Sequence, residues 1–220
     1  MNQVERFGII GSGIIGAGWA GRALSVGMDV YAFDPEQGAE SRLRKKLDQI
    51  WPVLERTGVF PDASKDRLVF CESVEAVAAQ SDFIQESAPE RIDLKVELHA
   101  QIDAAASPDV VIASSTSGLL PTDFQAQCKH PERVIVGHPF NPVYLLPLVE
   151  VLGGKKTSLE NIDRAVMFYK SIGMYPLKVR SEVPGFLSDR LQEALWREIL
   201  HLVNDDVATP EELDAAIAYG

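Results

Sequence analysis

The chain has 220 residues, of which 46% are hydrophobic, and a formal net charge of −11. Such a composition is ordinary for a folded globular protein, and the length fits one large domain or a full domain with part of a second. The acids are spread along the sequence, which argues against nucleic-acid binding. Because Cys71 and Cys128 lie in neither a metal-ligand nor a redox motif, we expect no metal, no disulfide framework and a cytoplasmic setting.

Membrane spans and secretion signals are not expected. The first six residues include Glu5 and no apolar run, and the most apolar stretch, residues 143–153, is interrupted by Pro147 and Glu150. The one dense basic cluster, residues 42–46, falls within a helical pattern and is interpreted as a solvated helix face. A contact between this cluster and a polyanionic substrate is the alternative.

Short apolar runs alternate with helical patterns along most of the chain. This alternation predicts an α/β fold, a Rossmann-like doubly wound and mostly parallel sheet with right-handed crossovers. Residues 36–64 are longer than one crossover needs, so a helical pair is predicted there. The predicted strands are residues 7–10, 30–33, 68–71, 83–85, 110–113, 134–136 and 177–179, and the main predicted helices are residues 36–58, 74–79, 92–106 and 159–172.

The sequence changes character at Pro184 and Gly185. From Phe186 onward apolar residues recur at helical spacing, and Thr209 begins a capping box with proline at the first helical position. We therefore expect residues 184–220 to begin an all-α C-terminal domain, used for substrate binding and dimerisation and continuing beyond Gly220. Its wide apolar stripe favours a homodimer.

A glycine-rich loop follows the first predicted strand and opens a helix. In such a loop the first glycine permits a tight turn, the second lets a pyrophosphate approach the backbone, and the third lets helix and strand pack closely. Asp34, at the end of the second predicted strand, can accept hydrogen bonds from the adenosine ribose. The loop consists of Gly11, Ser12, Gly13, Ile14, Ile15 and Gly16.

These residues predict that 1–183 form a dinucleotide-binding domain with NAD as the cofactor. The carboxylate of Asp34 would repel the 2′-phosphate of NADP by roughly 4 kcal/mol at a separation of about 4 Å. No arginine follows Asp34 to compensate, since Pro35 and Glu36 come next.

A candidate catalytic group lies after the later predicted strands. Residues 114–118 and 137–142 each follow a predicted strand, on the side of the sheet where ligands bind. His138 is suited to accept a hydroxyl proton near neutral pH, and Glu150, in an apolar run, needs a partner if it is buried. The residues alone also permit a structural role for His138, and for Ser117 a role as a turn former or helix cap.

Four motifs together resemble the 3-hydroxyacyl-CoA dehydrogenases: Ser-x-Thr-Ser at 114–117, His-x-Phe-Asn-Pro at 138–142, Leu-Val-Glu-Val at 148–151 and Pro-Gly-Phe at 184–186. The resemblance covers essentially the whole chain. It implies that His138 is the general base, that Glu150 orients it and that Ser117 binds the reacting oxygen. It also places Glu90 and Lys95 near the nicotinamide half of NAD.

Two departures from the acyl-CoA members bear on the substrate. Asp189 and Ser115 stand where those enzymes carry asparagine, and residues 85–91 and 138–150 are more similar to the branch that acts on small, free 3-hydroxy compounds. The resemblance therefore favours L-carnitine as the substrate. Candidate substrate-binding residues, besides Ser117, are Phe140, Asn141, Tyr144 and Asp189, while packing is the better interpretation of Trp196.

Three alternatives stay open at this stage. The chain could oxidise 3-hydroxybutyryl-CoA or another 3-hydroxyacyl-CoA, it could oxidise a sugar acid such as L-gulonate, or it could be a non-catalytic NAD-binding protein of the lens-crystallin kind. The presence of His138, Glu150 and Ser117 together argues against the last.

Overall fold

A computed structural model describes residues 4–220. The chain divides into two compact units, the first ending at Pro184 and the second running from Gly185 to Gly220. Residues 1–3, which begin the segment where no secretion signal is expected, lie outside the described residues. Across residues 4–220, no helix combines the length and the hydropathy that crossing a bilayer requires.

The first unit is built on one eight-stranded sheet with the strand order β3-β2-β1-β4-β5-β6-β7-β8. Strands β1 to β6 are parallel, β7 is antiparallel to β6, and β8 is parallel to β7. The strands are β1 (Arg6–Ile10), β2 (Asp29–Phe33), β3 (Leu68–Phe70), β4 (Phe83–Glu86), β5 (Val111–Ser114), β6 (Val134–Pro139), β7 (Leu148–Gly153) and β8 (Tyr175–Lys178).

Helices connect most of the strands of the first unit, except β6 and β7, and form the whole regular structure of the second. The predicted Rossmann-like α/β fold, with helices after the sheet, is confirmed. The α-helices are α1 (Ile14–Ser25), α2 (Ala39–Thr57), α3 (Val74–Gln80), α4 (Ile92–Ala105), α5 (Pro121–Phe124), α6 (Leu159–Ser171), α7 (Ser188–Asn204) and α8 (Pro210–Tyr219).

The predicted helical pair over residues 36–64 is wrong. This segment contains a single α-helix, α2, which ends at Thr57. Gly58 follows with φ +106°, in a region that L side chains rarely adopt, so the helix ends there. The residues between Gly58 and Ser64 form no further helix.

The end of the sheet also differs from the prediction. Strand β6 runs on to Pro139, so His138 lies within a strand and not in a loop beyond it. The extension is stabilised by β7, an antiparallel neighbour that was predicted only as an apolar run. Both strands are buried along most of their length, and alternation of polar and apolar residues is therefore absent from them.

The sheet and its helices share one hydrophobic core. Trp19 of α1 packs against Phe7 of β1 and Tyr169 of α6, with ring centroids 6.3 Å and 5.5 Å apart. Phe83 of β4 stacks on Phe168 of α6 at 4.0 Å. These contacts hold helices against the strands whose carboxyl ends carry the candidate site.

The second unit consists of α7 and α8. The N-terminus of α8 has the predicted capping box, in which the Thr209 side chain accepts from the Glu212 backbone and the Glu212 side chain accepts from the Thr209 backbone. Leu191, Leu195 and Trp196 of α7 are exposed.

At the amino ends of the strands, Asp82 ties β1 to the loop before β4. Its Oδ2 accepts from the backbone N–H groups of Glu5 and Arg6 at 3.1 Å and 3.0 Å, and its Oδ1 accepts from Arg6 Nη2 at 2.5 Å. Burial would raise the pKa of Asp82, but the hydrogen bonds from Arg6 and from the backbone outweigh it, and the pKa is lowered.

We expect Asp82→Asn to destabilise the protein by about 1 kcal/mol, or roughly 3 °C in melting temperature, because it removes a charge-assisted hydrogen bond. Because the folded pKa is depressed, the carboxylate contributes its full stabilisation above the unfolded pKa of about 3.9 and loses it as the pH falls through the folded value. Thermal unfolding at pH 7 and at pH 3 measures both effects. A gap between wild type and variant that does not narrow at low pH would contradict this account.

Candidate active site

The glycine-rich loop joins β1 to α1 where the strand order of the sheet reverses, between β1 and β4. Gly11 has φ +91°, and a Cβ there would lie 2.6 Å from the carbonyl oxygen of Ser87. A Cβ on Gly16 would lie 1.9 Å from the carbonyl oxygen of Gly11. The fold itself therefore requires both glycines, one for the turn and one for close packing.

Gly13 differs from the other two glycines of the loop. It is the N-cap residue of α1 with φ −60°, and a Cβ at this position would meet no atom within 4 Å. Neither backbone strain nor packing requires a glycine here. A side chain at this position would instead fill the space in front of the helix N-terminus. Because a pyrophosphate binds in that space in dinucleotide sites, the loop fits NAD. In the same loop Ser12 is buried, Ile14 is exposed and Ile15 is half-buried.

Asp34 follows β2 and its carboxylate faces the loop. Oδ2 accepts from the backbone N–H of Ser12 at 2.8 Å and from its hydroxyl at 3.1 Å, and Oδ1 accepts from the backbone N–H of Glu36 at 3.0 Å. The acid that is predicted to bind the adenosine ribose thus also holds the glycine-rich loop in place.

His138 and Glu150 lie opposite each other on β6 and β7. His138 Nδ1 is 2.9 Å from Glu150 Oε2, and the side chains are 7% and 0% exposed. Since a carboxylate only accepts, Nδ1 carries the proton and donates. In the neutral ring this tautomer makes Nε2 the basic nitrogen, which is the state a general base requires.

Ser117 lies exposed in the loop after β5, and Glu90 organises this loop. Glu90 Oε1 accepts from the Thr116 hydroxyl and from the backbone N–H groups of Ser117 and Gly118, the latter two at 3.2 Å and 3.3 Å. Residues 89–91, before α4, are therefore connected directly to the segment that carries Ser117.

Lys95 is almost completely buried in an ion pair. Its Nζ lies 2.7 Å from Glu86 Oε1 and 3.7 Å from Glu90 Oε2, and its side chain is 1% exposed. Glu86 also accepts from the Ser114 hydroxyl and the Ala88 N–H, both at 2.6 Å. The Glu86–Lys95 pair was missed from the sequence, because nothing in a strand end followed by a helix indicates which charges become buried together.

The loop after β6 carries three of the candidate substrate-binding residues. The Phe140 ring lies 5.1 Å from the His138 ring, centroid to centroid, while Asn141 is exposed.

The Tyr144 carbonyl accepts from Arg22 of α1 at 3.0 Å, and burial lowers the pKa of Arg22. Val143 packs so closely on α1 that a Cβ on Gly18 would lie 2.9 Å from its Cβ. The loop is therefore fixed to the helix whose N-terminus faces the cofactor position.

Asp189 and Trp196 belong to α7, in the second unit. Asp189 lies in the first turn of that helix and Trp196 is exposed. Their roles in substrate binding or packing remain predictions.

Comparison with known proteins identifies the family. The family profile "3-hydroxyacyl-CoA dehydrogenase, NAD binding domain" matches residues 6–183, and the profile "3-hydroxyacyl-CoA dehydrogenase, C-terminal domain" matches residues 185–220. An L-carnitine dehydrogenase of Pseudomonas putida is 59% identical over 220 residues, which are 100% of this chain and 68% of that protein.

Solved structures agree with this result. The 5-formyl-3-hydroxy-2-methylpyridine 4-carboxylic acid 5-dehydrogenase, an NAD-dependent dismutase, has a TM-score of 0.91 at 33% identity, covering 99% of this chain and 71% of that one. The (S)-3-hydroxybutyryl-CoA dehydrogenase of Ralstonia eutropha has a TM-score of 0.85 at 28% identity, covering 96% and 75%.

The fold and the phosphate loop define an NAD-dependent dehydrogenase, and the chain is an oxidoreductase that acts on the CH–OH group of a 3-hydroxy compound. It belongs to the 3-hydroxyacyl-CoA dehydrogenase family. The predicted cofactor and the predicted enzyme class are thereby confirmed, and the crystallin-like alternative is set aside.

We expect Asp34→Asn to reduce the preference for NAD over NADP, measured as the ratio of kcat/KM values, by roughly 10- to 100-fold, because it removes the charge that repels the 2′-phosphate. Asparagine keeps an oxygen that can accept from Ser12, so the loop is preserved. The comparison variant Asp34→Ala removes this acceptor too and should also raise the KM for NAD. A ratio unchanged in both variants would exclude a role of Asp34 in cofactor choice.

Proposed function

We propose that the chain oxidises the 3-hydroxyl of L-carnitine to 3-dehydrocarnitine with NAD, and that His138 is the general base. The observation that carries the mechanism is the buried hydrogen bond of 2.9 Å between His138 Nδ1 and Glu150 Oε2. The substrate rests on the relative of 59% identity named L-carnitine dehydrogenase.

His138 accepts the hydroxyl proton at Nε2. NAD, held by the glycine-rich loop and Asp34, would supply the acceptor for the hydride that leaves C3 of the substrate. Protonation turns the ring into an imidazolium that lies against a buried carboxylate. The interaction with Glu150 is therefore stronger after proton transfer than before it, and such an interaction accelerates the chemical step. Glu150 also fixes the orientation and the tautomer of the ring.

Ser117 binds the reacting oxygen by its hydroxyl. Glu90 supports this role because it accepts from the Ser117 and Gly118 N–H groups and so limits the movement of the loop. Lys95 holds Glu90 and Glu86 from the buried side. In this proposal Glu90 faces the nicotinamide half of NAD, and Lys95 acts through the carboxylates.

The charges on α2 favour a small substrate over one that carries CoA. The basic cluster at residues 42–46 is partly neutralised, since Arg42 pairs with Glu36 at 2.8 Å and Arg44 pairs with Glu40 at 2.9 Å. These arginines are already engaged, and the chain as a whole carries −11. A patch of this kind offers little attraction for the phosphates of CoA.

The trimethylammonium group of L-carnitine needs aromatic or anionic neighbours. Phe140 and Tyr144 would contribute cation–π attraction of about 0.5 to 2 kcal/mol. Asp189 would contribute a negative charge where acyl-CoA members carry an amide, and Asn141 a hydrogen bond.

We also propose that residues 184–220 belong to a domain for substrate binding and dimerisation, in a cytoplasmic homodimer.

The substrate assignment is tested by NADH formation from purified protein with L-carnitine, L-gulonate and 3-hydroxybutyryl-CoA in parallel. We expect kcat/KM for L-carnitine to exceed the other two values by at least about 100-fold, since the missing polar contacts of a wrong substrate are costly. A higher value for 3-hydroxybutyryl-CoA or for L-gulonate would replace the assignment by that substrate.

We expect His138→Gln to lower kcat by about 1,000-fold, within the range that general base catalysis contributes, while the dissociation constant of NAD changes less than about twofold. Glu150→Gln should lower kcat by about 100-fold or more, because the amide no longer stabilises the imidazolium. Steady-state kinetics and NAD titration measure the two quantities. If His138→Gln keeps full turnover, the base is another group.

A further inference from the structure

A buried amide connects the strand of His138 to the loop of Ser117. Gln85, the third residue of β4, is 0% exposed. Its Nε2 donates to Ser115 Oγ at 2.7 Å and to the Gly137 carbonyl at 3.0 Å, and its Oε1 accepts from the Tyr169 hydroxyl at 2.6 Å. One side chain thus joins the loop after β5, strand β6 and helix α6.

The orientation of this amide is determined by its partners. The Gly137 carbonyl can only accept, so Nε2 must face it. Burial raises the pKa of Tyr169 well above its ordinary value, so the phenol keeps its proton and donates to Oε1. A flipped amide would set Oε1 against the Gly137 carbonyl and lose that bond, and an unsatisfied buried polar group costs about 1 to 3 kcal/mol.

Ser115 has no bonding capacity left for a substrate. Its Oγ accepts from Trp19 Nε1 at 3.2 Å and from Gln85 Nε2 at 2.7 Å, so its own proton goes to Ser87 Oγ at 2.9 Å. Ser115, one of the two departures from the acyl-CoA members, therefore has all its hydrogen bonds within the protein. It anchors the segment that carries Ser117, two residues further on.

Gly137 directly precedes His138 in β6 and contacts the same hydrogen-bond network. A Cβ at Gly137 would lie 1.9 Å from the Tyr169 hydroxyl oxygen, so only glycine permits this phenol to reach Gln85. The carbonyl of Gly137 is in turn held by Gln85. The position of the peptide before His138 thus depends on an interior hydrogen bond.

We propose that Gln85 is a positioning residue for hydride transfer, which holds the Ser117 loop and the His138 strand at a fixed separation. It contacts neither substrate nor cofactor and acts through Ser115 and Gly137. The inference rests on the proposed roles of His138 and Ser117, but not on the identity of the substrate. Reacting groups displaced by about 1 Å lose about 100-fold in rate, so a small movement of either segment is sufficient.

The test is Gln85→Met, which conserves the volume of the side chain and removes its hydrogen bonds. We expect kcat to fall by about 10- to 100-fold and the KM for NAD to change less than about twofold, since the phosphate loop is not part of the network. The substrate is the one that the wild type oxidises fastest, so failure of the L-carnitine assignment leaves this test intact. The matched control is Gln80→Met at the exposed last residue of α3, which should keep the wild-type kcat.

A kinetic isotope effect separates positioning from stability. With deuterium at the oxidised carbon, the isotope effect on kcat should rise in Gln85→Met, because hydride transfer becomes slower relative to product release. Loss of folded enzyme lowers the rate without changing the isotope effect. An unchanged kcat, or a lower kcat with an unchanged isotope effect, would overturn the proposal.

If Gln85→Met does not fold, the variant Tyr169→Phe tests the same proposal. It removes only the hydroxyl that fixes the amide, and we expect kcat to fall by about 3- to 10-fold with the same rise of the isotope effect. A wild-type kcat and isotope effect in this variant would contradict the proposal that the Tyr169–Gln85 network controls the separation of the two segments.

Discussion

A completely buried carboxylate is unstable without a partner, and the register of β6 and β7 provides one for Glu150. The antiparallel pairing sets His138 directly across from it. Breaking a buried pair of this kind by removing one member costs several kcal/mol. The same contact that stabilises this part of the sheet also sets the tautomer of the histidine. In the proposed mechanism, this hydrogen bond therefore serves both the stability of the fold and the proton transfer by His138.

At the carboxyl ends of the neighbouring strands, buried polar side chains also have hydrogen-bond partners, and they have more of them. Glu86 is fully buried at the end of β4, where Lys95, Ser114 and the Ala88 N–H satisfy it. Gln85, one residue earlier, is satisfied by Tyr169, Ser115 and Gly137. Polar groups in a low-dielectric interior are rigid when all their bonds are made. The exposed loop of Ser117 thus rests on a rigid polar base.

The glycines of this molecule are required for different physical reasons. Gly137 is required by a protein atom, the Tyr169 hydroxyl, and Gly11 by its positive φ as well as by the close Ser87 carbonyl. Gly13 is required by no atom of the protein. The difference distinguishes a glycine of the fold from a glycine of the ligand site, and it can be recognised only when the surroundings are known.

The sequence by itself determined the Rossmann-like sheet, the phosphate loop with Asp34, and the family. These depend on local patterns: apolar runs, glycine spacing and an acid after a strand. Strand β7, the extent of β6 and the single helix α2 required the tertiary structure, because strands buried on both faces lack alternation and a helix end is decided by one backbone angle at Gly58. The buried partners of Glu86, Gln85 and Lys95 likewise come from distant segments, and no spacing along the chain records which polar groups meet when the strands assemble.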